Sequence, residues 1–301
     1  MKSFSMMKTF SVGLLMITLA HGLQNPALVS RRRALSVAGV SGPVLVSGMF
    51  PEEANAESLA AKLSKRDASA LKNSVFNIPP SAQKYPDFMK GEWEVTLKFA
   101  GYLFPSKTIP KDDIVKNVNI PGFQKCSIAA IADVGRDITT YNMKIGKDGF
   151  EDRVLTLTGS INSHLGYGAV EGVKYDQANN PNRLSIDFTK NRTRNAERIE
   201  LFCNARENEL VVNPNDETKS IFVNSEYIRQ VTFSLSQEFG VARQVIGNYA
   251  HFFTWKEGSG NNLTGNILTA TYIDPQDAMF FQEPSKPVSI YSHQLSAKRI
   301  A

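Results

Sequence analysis

"GEWEVTLKF", residues 91–99, sets Trp93, Val95, Leu97 and Phe99 against Glu94, Thr96 and Lys98. A period of two residues puts every apolar side chain on one face of an extended strand and every polar one on the other. The same alternation recurs in residues 184–188, with Leu184, Ile186 and Phe188 separated by Ser185 and Asp187. It returns in "RVLTLTG" at 153–159, "RIELFCN" at 198–204, "RQVTFSL" at 229–235 and "NILTATYID" at 266–274. Each of these is read as a strand with one buried face.

Between them stand turn formers: "GKDG" at 146–149, "NNPN" at 179–182, "NPND" at 213–216 and "GSGNN" at 258–262. Many short strands divided by such turns predict an all-β domain, either a single antiparallel barrel or, as the alternative, a sandwich. The barrel is preferred because closure removes exposed sheet edges. Ahead of it, "ESLAAKLSKRDASALKN" at 57–73 spaces Leu59, Leu63 and Leu71 loosely as in a helix. Residues 57–84 are therefore expected to form a helical arm or linker, and residues 85–301 the β-domain.

The first 56 residues read as a layered leader. Lys2 and Lys8 precede an apolar core at 10–19 and small or polar residues at 20–22, the layout of a signal peptide over residues 1–22. Arg31, Arg32 and Arg33 then precede an uncharged stretch at 34–50 and an Ala54-Asn55-Ala56 end. Residues 23–56 thus have the form of a plastid transit and twin-arginine thylakoid signal. The expected destination is the thylakoid lumen, with secretion as the alternative.

Removing this leader takes away five basic and two acidic residues, leaving 34 − 5 = 29 basic and 29 − 2 = 27 acidic. A net charge of +2 over the remaining 245 residues offers no basic stripe for nucleic acid. No long apolar run follows the leader, so no transmembrane anchor is expected in the mature chain.

Cys126 and Cys203 are the two cysteines. In an oxidising compartment they would close a 77-residue loop, worth about 4.5 kcal/mol on chain entropy; alternatively they are two small buried apolar side chains. His164, His251 and His293 are isolated in the sequence, and no metal-ligand spacing, nucleophile elbow, P-loop or dinucleotide fingerprint appears. The stretch at 159–168 reads as a loop, and Asp274 and Asp277 as turn or capping residues around Pro275. "NRT" at 191–193 and "NLT" at 262–264 are glycosylation sequons whose use depends on the fold.

Phe88 followed by Gly91-x-Trp93, in "YPDFMKGEWEV" at 85–95, resembles the first signature region of the lipocalin and calycin barrels. There the Gly allows tight entry into the strand and the Trp plugs the closed end. The arginine that those families carry in the last strand is not assigned by the sequence. A longer similarity joins "FPSK" at 104–107, "PGFQKCS" at 121–127, "DVGR" at 133–136, "EYIRQVT" at 226–232, "GVARQVIGNYAHFF" at 240–253 and "LTATYIDPQDAMFF" at 268–281. Together these resemble an uncharacterised domain-of-unknown-function family of cyanobacteria and plastids. That resemblance implies a thylakoid association and supplies no catalytic residues.

These readings lead to a non-enzymatic lumen protein that binds a hydrophobic small molecule (pigment, lipid or quinone) or assists assembly of a photosynthetic complex. The candidate ligand-binding residues are Trp93, Tyr102, Phe104, Arg229, Tyr249 and His251. An isomerase or lyase acting on a lipid or tetrapyrrole would use Arg229, Tyr249 and His251 as its polar groups. A structural docking module for a photosystem subunit is the third reading. A roomy interior favours a ligand or a substrate; a filled one favours docking.

Overall fold

The computed structural model describes residues 57–73, 79–116, 138–193, 196–213, 216–238, 241–258 and 260–300. Cys126 lies outside them, and with it the proposed pairing to Cys203; so does the whole leader.

Among the described residues nine strands form one antiparallel sheet: β1 Gly91–Leu103, β2 Ile138–Ile145, β3 Val170–Asp176, β4 Asn180–Phe188, β5 Arg198–Asn213, β6 Asp216–Glu238, β7 Val241–Glu257, β8 Asn262–Tyr272 and β9 Ser289–Arg299. Three α-helices accompany them among those residues: α1 Leu59–Ser64, α2 Lys111–Lys116 and α3 Arg153–Leu165. The order across the sheet is β2-β1-β9-β8-β7-β6-β5-β4-β3. Every strand therefore pairs with its neighbours in sequence, and β1 pairs with β9, but no ladder joins β2 to β3. The expected antiparallel β-architecture is present, while the sheet is not closed into a barrel by hydrogen bonds.

Helix α3 occupies the connection between those two edges and packs on both. Its Ser163 Oγ accepts the backbone N–H of Thr140 in β2 at 3.1 Å. Its Asn162 Oδ1 accepts those of Ala169 and Val170, at the start of β3, at 2.8 and 3.0 Å. Side chains of one helix thus take up backbone donors that a missing ladder leaves open. Gly159 makes the approach possible, because a Cβ there would lie 3.3 Å from Cβ of Tyr141.

This helix corrects the strand expected at 153–159 and the loop expected at 159–168. Leu157, Ile161 and Leu165 recur every four residues and face the core, whereas Val154 and Leu155 are exposed. The Asp152 carboxylate accepts the N–H of Leu155 as the N-terminal cap, and Gly166, at φ 81°, ends the helix in the left-handed region. Helical periodicity with both caps outweighs the short alternation of Leu and Thr.

Along β1, Trp93, Val95 and Leu97 are buried and Glu94 is exposed, as the alternation requires. A 3₁₀ turn at Asp87–Met89 leads into Gly91, and the Trp93 indole N–H donates to the carbonyl of Met89 at 2.8 Å. From β9, the Arg299 guanidinium lies 4.3 Å from the centre of the Trp93 ring and donates to the carbonyl of Lys90. Trp93→Ala is expected to cost about 3–5 kcal/mol through lost burial and the cavity left behind. Glu94→Ala should change stability by less than about 0.5 kcal/mol. Equal thermal melts for the two variants would refute this placement.

The arm is part of the fold. Ser58 caps α1, Ala60 N–H donates to Glu209, and the Tyr272 hydroxyl donates to the carbonyl of Leu71 at 2.7 Å. Leu59 and Leu71 cover Val223, Tyr227, Phe252 and Tyr272 on the outer face of the sheet. Residues 222–228 of β6 are consequently buried without a break, one face inward and the other beneath the arm. Leu71→Ala should lower stability by roughly 2–3 kcal/mol, and urea melts that leave it unchanged would show the arm to be dispensable.

Candidate functional site: a buried charge cluster beneath a strap

Cross-strand register aligns Arg206 of β5 with Glu226 of β6, Glu226 with His251 of β7, and His251 with Thr269 of β8. These residues point inward with Ile228 and Tyr249, between apolar clusters around Trp93 at one end and around Ile161 and Ile199 at the other. Glu226 is the centre. Arg153, the first residue of α3, binds its carboxylate bidentately at 3.1 and 2.6 Å, and Arg206 Nε donates to it at 2.8 Å. Burial alone would raise the pKa of Glu226, but the two guanidinium groups outweigh it and hold the pKa down at about 2.

Residues 79–86 run over this cluster as a strap. Arg206 Nη1 donates to the carbonyl of Ser81, Asn182 Nδ2 donates to that of Pro80 at 2.8 Å, and the Tyr85 hydroxyl donates to Glu151 at 3.1 Å. Burial pushes the pKa of Glu151 up, although Arg153 opposes the shift. Gln83, Tyr85, Glu151, Arg153 and Tyr175 line a pocket of about 10 Å³, room for a single water molecule. Near the strap, Gln83 Oε1, Asn182 Oδ1 and Arg206 Nη2 are buried without a protein partner.

Two histidines face the same interior. His251 Nδ1 lies 2.8 Å from Thr269 Oγ1, and His293 Nδ1 is buried without a hydrogen-bond partner. Desolvation pushes both down to about 4, so both are neutral near pH 7. Burial pushes the Cys203 thiol up to about 12, which makes it a poor nucleophile. Glu226 is locked between two arginines and the histidines hold no exchangeable charge at neutral pH. The arrangement suits fixing charge inside a scaffold rather than transferring protons. Among the described residues there is no group of three or more His, Cys, Asp or Glu placed to hold a metal ion, and no helix long and apolar enough to cross a membrane.

The six residues singled out from the sequence do not form one site. Tyr249 and His251 are neighbours, their rings 5.1 Å apart, and both face inward. Trp93 faces inward too, but in the apolar cluster at the other end. Tyr102, 43 % exposed near the end of β1, and Phe104, just past it, make a tilted ring contact at the rim, with Lys111 over the Phe104 ring. Arg229 is exposed on the outer face, one residue out of parity with Ile228 and Gln230, and so stands apart from Tyr249 and His251. Asp274 accepts from Asn248 and from the N–H of Gln276, and Asp277 caps the 3₁₀ turn at Ala278–Gln282, so both serve the turn as expected.

Sequence reasoning missed Arg153, Arg206 and Glu226. Glu226 shares the inward face of β6 with Phe222 and Ile228, an interior charge that demands a partner, but with both faces of residues 222–228 buried the local sequence carries no parity signal that would single it out.

No curated protein and no solved structure gives a significant match to the chain. A family model does match, from residue 78 to residue 301, a span that takes in the strap and all nine described strands but not α1. The chain belongs to that family, described as a domain of unknown function, DUF6816.

Proposed function

We propose that this protein is a non-enzymatic component of the thylakoid lumen, delivered by the twin-arginine route, that docks on or helps assemble a photosynthetic complex. One observation carries the choice: the pocket between strap and sheet is about 10 Å³, far below the several hundred Å³ of a ligand-bearing calyx. Its interior is occupied by its own side chains, among them Trp93, Tyr249, Tyr291 and the Arg153–Glu226–Arg206 cluster. The double leader supports the address.

The scaffold is calycin-like in this reading. In its favour are the 3₁₀ turn before Gly91-x-Trp93, the last-strand Arg299 over the indole, and a helix, α3, that packs on both edge strands of the sheet, β2 and β3. Carriage of a hydrophobic small molecule is the second reading, favoured by the seam between those edges, since β2 and β3 lack a ladder and displacement of the strap would open the interior sideways.

The test is purification of the mature chain from its native organelle, with absorbance and mass spectrometry of a solvent extract and crosslinking of co-purifying proteins. Docking expects an empty extract and a defined crosslinked subunit. A stoichiometric pigment, lipid or quinone would overturn it in favour of carriage.

A further inference from the structure

We propose that Asn191 carries an asparagine-linked oligosaccharide. The proposal rests on reading residues 1–22 as a signal peptide, which takes the chain through a compartment where such transfer occurs. Asn191-Arg192-Thr193 lies in the connection from β4 to β5, three residues past Phe188. Arg192 N–H donates to the carbonyl of Thr189 at 3.0 Å, which makes a tight turn with Asn191 inside it. Asn191 has φ 64°, a left-handed conformation that Asn tolerates, and it is exposed between exposed Lys190 and Arg192.

The second sequon is placed differently. Asn262 and Thr264 are also exposed, but both are strand residues of β8, paired with Lys298 and Ser296 of β9, and the Asn262 carbonyl accepts the N–H of Gly258. Strand residues held in a ladder open locally less readily than a turn; the turn at 189–193 is in no ladder and is tied at its flanks, by the Thr189 N–H to the Ala169 carbonyl at 2.9 Å and by the Tyr167 hydroxyl to the Arg192 carbonyl at 2.7 Å. Asn191 is therefore the occupied site.

In the transfer, the Asn191 carboxamide nitrogen attacks C1 of a lipid-diphosphate-linked oligosaccharide. The N–C1 bond forms, the C1–O bond to the diphosphate breaks, the lipid diphosphate leaves, and the amide proton passes to a base of the transferase. No electron carrier is involved.

The full chain is translated in the presence of endoplasmic-reticulum microsomes and digested with peptide-N-glycosidase. The expected result is a protease-protected product, shortened by signal cleavage, with a discrete mass step that the glycosidase removes. Asn191→Gln should abolish the step and Asn262→Gln should keep it; two steps, one lost in each variant, would support Asn191 and refute the exclusion of Asn262. A protected and cleaved chain without the step, or with a step lost only in Asn262→Gln, overturns the proposal while the signal reading stands. An uncleaved, protease-sensitive chain overturns both.

Discussion

Lowering the pH from about 7 to about 4 is expected to remove on the order of 6 kcal/mol of stability, roughly 3 from each of His251 and His293. Both are neutral and buried, with folded pKa values near 4 against an ordinary 6.5. Their contribution is complete above pH 6.5 and is lost as the pH falls toward 4, because the unfolded chain takes up the protons first. His251 faces Glu226, which favours its protonation, while Arg153 and His293 oppose it; His293 is opposed by His164 of α3. Glu226 stays ionised until about pH 2 and cannot cancel the loss. Glu151, held up by burial, works in the opposite sense and offsets part of it. For a domain of ordinary stability, about 5–15 kcal/mol, the change is a large share. Urea unfolding at about pH 7 and about pH 4.5 should show it, and His293→Gln should roughly halve the slope. Equal midpoints at both pH values would mean that water reaches both imidazoles.

Glu226→Ala should destabilise by about 3–5 kcal/mol, since it strands two guanidinium groups in the interior. The Arg206 side chain is 2 % exposed and that of Arg153 20 %, so neither can turn fully to water. Replacing Arg153, Arg206 and Glu226 together by Met should recover most of the loss, because a buried ion cluster contributes less than its removal in part costs. A Glu226→Ala protein that melts within about 1 kcal/mol of the parent would show that solvent enters beneath the strap.

Alternation revealed β1 and β4, in which buried positions alternate with more exposed ones, and shorter stretches of β5, β6 and β8. It failed at α3, where Leu155 and Leu157 imitate a strand over one helical turn and the decisive positions, Ile161 and Leu165, lie further along. Residues 222–228 hide their parity because the arm covers the outer face, so that segment reads as a plain apolar run with polar interruptions. The charge cluster joins positions 153, 206 and 226, which only the register brings together. Arg229 misled because the local sequence does not show which parity of β6 faces in.

Trp93 pairs with Arg299, 206 positions later in the chain. Until Ser289–Arg299 is free to pair, β1 has β2 on one side and nothing on the other, and the indole lacks the guanidinium that covers it. The native arrangement of β1 is therefore reached only once that late segment has joined the sheet. A contact order of this kind predicts folding in milliseconds to seconds rather than microseconds. It also makes the final eleven-residue strand Ser289–Arg299 an Achilles heel. A stop codon before it would convert β1 and β8 from interior strands into two further raw edges, each ready to pair with another molecule.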